Sequence, residues 1–177
     1  MKKIILNLAI SLDGMIEGSG GEFDWCFTDQ DYGMTEFMDA VDSVFYGRKS
    51  YELMLKMGQD VEIPGGGDMY AGKTHYVFSN TLKSVAEGFQ LISGNWQAQV
   101  EALRREGGKD IWFFGGANLL AHFMNSGLID EMQLSLHPVV LGGGTPLFQD
   151  IAARNWFDLV SVQQYDSGLV QLVYRRK

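Results

Sequence analysis

The chain has 177 residues, 46% of them hydrophobic and 20% charged, with a formal net charge of −8 at pH 7. That size and balance fit one globular domain with a sizeable core and exclude the composition of a disordered chain. The negative charge argues against general nucleic-acid binding, which needs a basic footprint, and the lone Cys26 excludes a disulfide framework or a multi-cysteine zinc site within the chain.

Met1-Lys2-Lys3 followed by apolar residues mimics the start of a secretory signal. The run is short, is broken by Asn7, and enters Ser11-Leu12-Asp13-Gly14 with no small-residue cleavage site. It is read as a first strand, Ile4–Ile10, apolar enough to be covered on both faces. No stretch approaches membrane-spanning length, so the expected location is the cytoplasm. Asp13 then lies just past the carboxyl end of a buried strand, the edge where open α/β sheets bind ligands. A turn aspartate bonding its own backbone is the equally weighted alternative.

Residues 17–28 form a polar, Gly-rich loop whose aromatics, Phe23 and Trp25, either cap a pocket or tuck into the core. From Asp31 the pattern turns helical, with Met34, Phe37, Met38 and Val41 on one face and Glu36 and Asp39 off it. Asp29 or Asp31 can act as its N-cap. Ser43–Tyr46 is a short strand running into Gly47-Arg48-Lys49-Ser50 and a second amphipathic segment with Tyr51, Met54 and Leu55 inward. Residues 58–72, with Pro64 and Gly65–Gly67, read as an irregular and mobile surface loop. His75–Phe78 is a strand ending in Ser79-Asn80-Thr81, Gln90–Ile92 a short one, and Trp96, Val100 and Leu103 mark a helix stopped by Gly107-Gly108.

At 110–120 a run of large apolar residues, Ile111-Trp112-Phe113-Phe114, stops at Gly115-Gly116 and a helical pattern with Leu119, Leu120, Phe123 and Met124 begins. Such a junction presents unpaired N–H groups and the positive end of a helix dipole, and phosphate is its usual guest. Tight packing alone explains a single strand–Gly–helix turn equally well. The second turn of the same design, at Gly47 with Arg48, Lys49 and Ser50, raises the phosphate reading, because a cation and a hydroxyl at a helix start suit a phosphate monoester. With Ser79-Asn80-Thr81 and Gly115-Gly116-Ala117-Asn118, three strand ends offer one polar rim if the strands are neighbours. No G-x-G-x-x-G follows a strand, so this is not the usual dinucleotide fingerprint. Beyond it, 131–137 alternates as a half-exposed strand with Met132, Leu134 and Leu136 inward, and 156–165 with 168–175 reads as a hairpin around Asp166-Ser167-Gly168. Strands alternating with helices and closing on a hairpin imply an α/β fold with a largely parallel sheet and antiparallel edges.

Ser-Leu-Asp-Gly at 11–14, Asp24-Trp25, Gly-Arg-Lys-Ser-Tyr-Glu at 47–52, Val-Phe-Ser-Asn-Thr-Leu at 77–82, Gly-Gly-Ala-Asn-Leu-Leu at 115–120, Leu-Ile-Asp-Glu at 128–131 and Pro-Val-Val-Leu-Gly-Gly-Gly-Thr-Pro-Leu-Phe at 138–148 form an ordered set. Together they resemble the dihydrofolate reductase-like superfamily, in the branch of the C-terminal reductase domain of the bifunctional riboflavin-biosynthesis protein. The resemblance implies a three-layer fold with a mixed, mostly parallel central sheet, flanking helices and a C-terminal antiparallel hairpin. It implies an NADPH-dependent reductase, a homodimer, acting on a small pterin- or pyrimidine-like heterocycle in the manner of a 5-amino-6-(5-phosphoribosylamino)uracil reductase. By motif, Gly47, Arg48, Lys49 and Ser50 would hold the adenosine-side phosphates with Ser79 and Asn80. The backbone from Gly115 and Gly116 through Ala117 and Asn118 to Leu119 would hold the pyrophosphate. Asp13 would sit near substrate and nicotinamide, with Asp31 or its rival Glu36 as the acid that grips the ring and Trp25 shielding it from water. Asn80 and Asn118 stand where many relatives carry a basic residue, so NADH stays open beside NADPH. The deaminase half of the riboflavin protein is absent, since no His-x-Glu and no Cys-x-x-Cys occurs. Dihydrofolate reductase proper and a nucleotide-binding protein without catalysis are the alternative readings.

Overall fold

The computed structural model describes residues 1–60 and 70–177, the side chains of 57–60 excepted. The irregular loop expected at 58–72 therefore falls for the most part outside the described residues. Eight strands form one sheet in the order β5-β4-β3-β6-β1-β7-β10-β9. They are β1 (Ile4–Ser11), β3 (Val41–Gly47), β4 (Thr74–Phe78), β5 (Phe89–Ile92), β6 (Asp110–Gly115), β7 (Glu131–His137), β9 (Phe157–Gln164) and β10 (Val170–Arg176). Every pairing from β5 through to β7 is parallel; β10 runs antiparallel to both β7 and β9. The mixed, mostly parallel sheet and its C-terminal hairpin are those expected.

The chain alternates faces as period-2 strands must. Leu6, Phe45 and Phe113 point to one side and pack with Val100 of α3 (Trp96–Arg105) and Leu120 and Phe123 of α4 (Ala117–Asn125). Ile5, Val44, Tyr46 and Trp112 point to the other and pack with Phe37 and Met38 of α1 (Met34–Ala40) and Tyr51 of α2 (Arg48–Asp60). Three layers result. Phe123 is completely buried and meets the rings of Phe45, Phe78, Phe113 and Trp96. Burying a side chain of that size stabilises the fold by roughly 1.5–3 kcal/mol.

Three differences from the sequence reading have physical causes. The helix begins at Met34 rather than Asp31, because Gly33 takes a left-handed conformation (φ 77°) that ends the preceding turn. Strand β7 is interior rather than half-exposed, because β1 and β10 flank it. Its outward polar positions are satisfied inside: buried Glu131 is ion-paired with Lys3 and Arg175, and buried His137 accepts a backbone hydrogen bond. A small two-stranded sheet, β2 (Met15–Glu17) with β8 (Thr145–Pro146), has no periodic pattern to announce it. Among the described residues no helix is long and apolar enough to cross a membrane.

Candidate functional site

Strands β4, β3 and β6 are consecutive in the sheet, so their carboxyl ends make a continuous rim. Tyr46 of β3 pairs with Gly115 of β6, which sets the two glycine turns side by side. They touch through backbone: a Cβ on Gly47 would lie 3.2 Å from Gly116 N and 3.4 Å from Gly115 O. Gly115 has φ +135°, a conformation that L side chains rarely adopt. Gly116 is the N-cap of α4 and, as a glycine, gives the first turn of that helix no side-chain capping bond.

A cleft of about 820 Å³ opens above this rim. The structure brings together around it Gly47, Arg48, Lys49, Ser50, Ser79, Asn80, Gly116, Ala117, Asn118 and Leu119, with Thr81, His122 and Gln149 beside them. Half-exposed Arg48 donates to Glu52 at 2.7 Å and to Thr81 Oγ1 at 3.0 Å, which aims its guanidinium across to the β4 end. Asn80 Oδ1 accepts from the Gly94 N–H at 3.1 Å, Ser79 Oγ accepts from the Thr81 and Leu82 N–H groups, and Asn118 Oδ1 accepts from Gln149 Nε2.

A second cleft of about 740 Å³ adjoins the first, and Ile16, Glu17, Ser50, Leu53, Gly116 and Ala117 line both. Gly115 borders this one. Its walls are aromatic, with Trp112 and Phe114 from β6 and Phe27 from the 17–33 loop. Asn7 and Ala9 come from β1, Ser135 and His137 from β7, Gln171 from β10, Asp31 from the turn before α1, and Met34 and Thr35 from its first turn. Trp112 is fixed by its Nε1–H, which donates to Asn7 O at 3.0 Å.

The sequence-derived acids separate here. Asp31 lines the aromatic cleft, and its carboxylate accepts from Thr35 Oγ1 at 2.6 Å and from the Thr35 N–H at 3.0 Å. The Thr35 hydroxyl is the largest cause holding its pKa below the ordinary carboxylate value. Asp13 lines neither cleft. Its carboxylate accepts from Ser11 Oγ at 2.6 Å and from the Leu141 and Gly142 N–H groups at 3.1 and 2.8 Å, and the Ser11 bond leads in lowering its pKa to about 2. Glu36 is exposed on α1 and lies outside both clefts. Trp25 also lies outside them; its indole N–H donates to Glu22 O and its ring meets the edge of His137 at 5.3 Å, while Phe27 takes the place at the cleft wall that the sequence suggested for Trp25.

His137 was missed as a site residue, since without metal-ligand spacing a lone histidine at a strand end gives no sign of its partners. It is 3% exposed. Nδ1 lies 2.9 Å from Ser135 O and Nε2 accepts the Phe27 N–H at 3.1 Å, an arrangement that needs the neutral ring with its proton on Nδ1. Burial pushes its pKa below the usual value, in keeping with that state. His137 thus ties the 17–33 loop to the floor of the aromatic cleft. Asn7 was noticed only as a break in an apolar run; it is buried, and Nδ2 donates to Gln133 Oε1 at 3.2 Å.

The comparisons with known proteins agree with this architecture. The chain is 43% identical over 177 residues to the Bacillus subtilis (strain 168) protein YyaP, covering 98% of this chain and 94% of that one. A putative riboflavin biosynthesis protein from Shewanella sp. PV-4 superposes with a TM-score of 0.84 at 29% identity, covering 99% of both chains. Dihydrofolate reductase from Enterococcus faecalis, solved in complex with NADP(H), superposes with a TM-score of 0.69 at 15% identity, over 99% of this chain and 96% of that one, which shows the dihydrofolate reductase-like fold. The model of the RibD C-terminal domain matches residues 2–171, and the chain belongs to that family.

Proposed function

We propose that this protein is an NADPH-dependent reductase that transfers hydride to a C=N or carbonyl of a small pterin- or pyrimidine-like heterocycle. The observation that carries the reading is the pair of joined clefts: one rimmed by two helix starts and two cations, the other walled by aromatic rings, meeting at Ser50, Gly116 and Ala117. The residues fit the cofactor. Gly47 and Gly116 leave backbone bare at the junction, the first turn of α4 has no side-chain cap, and Arg48 and Lys49 supply positive charge within a chain of net charge −8.

When bound, the cofactor supplies the hydride. The chain's own residues orient the acceptor and keep water away. Trp112, Phe114 and Phe27 offer flat apolar walls for a ring. Asp31, held as an anion by Thr35, suits accepting hydrogen bonds from ring N–H groups better than delivering a proton. His137 keeps the loop that carries Phe27 over the cleft. Asp13 serves as a clamp on the 141–142 backbone in this reading, and Trp25 and Glu36 stand outside the chemistry. Dihydrofolate reductase proper remains the second reading, favoured by the place of Asp31 in the aromatic cleft. Loss of reduced-nicotinamide absorbance with a panel of dihydropterins and aminopyrimidines tests both. Turnover of at least one is expected; NADPH binding without turnover of any would leave a nucleotide-binding protein.

The homodimer and the cytoplasmic setting belong to the same proposal. For the dimer, the supporting surface is edge strand β9, where Leu159, Val160 and Val162 are 54%, 48% and 54% exposed, beside Trp156 at 67%. An unpaired edge that apolar on both faces is the kind natural proteins cover.

A further inference from the structure

Resting on the reductase reading, we infer that the substrate carries no phosphate: it is a flat heterocycle, neutral or cationic, and not a phosphoribosyl compound. The ground is the distribution of charge around the aromatic cleft. Among the described residues its charged lining is Glu17 and Asp31, with no Lys or Arg. The whole run from Ile4 to Gly47, which supplies β1, the 17–33 loop and α1, contains no Lys or Arg, while the loop itself carries Glu22, Asp24, Asp29 and Asp31. Residues 57–69, outside the described side chains, add no cation either, because their sequence holds three acids and no Lys or Arg.

The cations of the neighbouring cleft and of the flanking strands have other partners. Arg48 is held by Glu52 and Thr81 and, with Lys49, borders the other cleft, where the cofactor phosphates are proposed to sit. Arg175 and Lys3 face Glu131. The helix starts that reach the cleft are taken: the first turn of α1, at Met34 and Thr35, already holds a carboxylate, with the Thr35 N–H donating to Asp31 and the Met34 N–H to Asp31 O, and the start of α4 at Gly116 and Ala117, which lines both clefts, is where the cofactor phosphates are proposed to sit. A phosphate monoester carries about −1.5 to −2 charges at pH 7. Entering here it would lose water with neutral donors such as Thr28 and Gln30 but no cation in exchange, and would face two carboxylates across a low-dielectric wall. A neutral ring meets none of these penalties, and a cationic one is attracted. The phosphoribosyl substrate implied by the resemblance is therefore the one this cleft selects against.

Two dihydropterins that differ by one phosphate test this: 7,8-dihydroneopterin and its monophosphate, titrated into the full chain with NADPH present, read by quenching of tryptophan fluorescence. The unphosphorylated compound should bind at least about tenfold tighter, with the gap widening at low salt, where repulsion is less screened. Gln30→Arg, which places a cation on the cleft lining, should narrow the gap several-fold. Equal or tighter binding of the monophosphate by the unaltered chain would overturn the inference, as would NADPH binding with neither pterin bound. Calorimetry with NADPH alone separates the two claims: absence of cofactor binding sinks the reductase reading, while the ratio of the two pterins still decides this one.

Discussion

The Asp13 carboxylate spans 128 residues of sequence to reach the Leu141 N–H, and its other contacts are Ser11 Oγ and the Gly142 N–H. A carboxylate with three donors is stabilised in its charged form, which is why its pKa falls to about 2 from 3.8. The folded chain then binds fewer protons than the unfolded one between these values. The clamp's contribution is complete above 3.8 and is lost as pH falls toward 2. Asp13→Asn should lower Tm near neutral pH, leave kcat/KM nearly unchanged, and match the parent's Tm in acid, as thermal melts across pH would show. Asp31→Asn should do the reverse: its amide oxygen can still accept the Thr35 N–H, but the charge that meets the substrate ring is gone, so kcat/KM falls while Tm changes little. Arg48 is half exposed, so Arg48→Ala should weaken NADPH binding by about 1.5 kcal/mol, the low end for a charged hydrogen bond. NADH, lacking the 2′-phosphate, should lose less, and equal losses by calorimetry would remove Arg48 from that phosphate.

At the scale of elements, the loop before α1 is tied to β7 over the aromatic cleft by a buried acceptor, His137 Nε2, and to the C-terminal hairpin by Tyr32, whose hydroxyl donates to Ser167 Oγ. His137→Phe keeps the ring contacts with Trp25 and Phe27 but leaves the Phe27 N–H without its partner, a loss of roughly 1–3 kcal/mol. Substrate KM should rise while NADPH affinity stays. Burial lowers the histidine's pKa from 6.5, so the unfolded chain takes up its proton first as pH falls. The parent should therefore lose stability below about 6.5, and His137→Phe should remove that slope; an unchanged slope would assign it to another group. Much of this level was legible beforehand. The two strand–Gly–helix turns follow from apolar runs stopping at Gly47 and Gly115, and the hairpin from alternation on both sides of Asp166-Ser167-Gly168. The partners of Asp13 and His137 were not, because a hydrogen bond between residues 128 or 110 positions apart leaves no periodic trace. The pairing of β2 with β8 is hidden for the same reason.

For the whole molecule, the order of strands is what turns these turns into a site. Consecutive strands β5 and β6 are separated in the sheet by β4 and β3, and β6 and β7 by β1, so local pattern alone could not fix the order. That order sets the Gly47 turn against the Gly115–Gly116 turn and lets the two clefts share a wall. It also leaves β9 at an edge with Leu159 and Val162 uncovered. Sedimentation should find a dimer in the parent chain and a monomer after Leu159→Glu with Val162→Glu. A parent that sediments as a monomer at micromolar concentration would remove the dimer from the proposal.

The central claim is that the junction of the two clefts receives the cofactor, and Gly116 tests it most directly. Its backbone angles, φ −103° and ψ −168°, are extended and open to any residue, and a Cβ there meets Ser50 Oγ at 3.2 Å, a side chain that can give way. Valine should thus be tolerated by the fold yet fill the space where the cofactor's phosphates approach bare backbone. Calorimetric titration of NADPH into the parent chain and into Gly116→Val, each with its far-ultraviolet circular dichroism recorded, is the measurement. Saturable binding to the parent and none to the folded variant is the expected result; equal affinity for the two would contradict it.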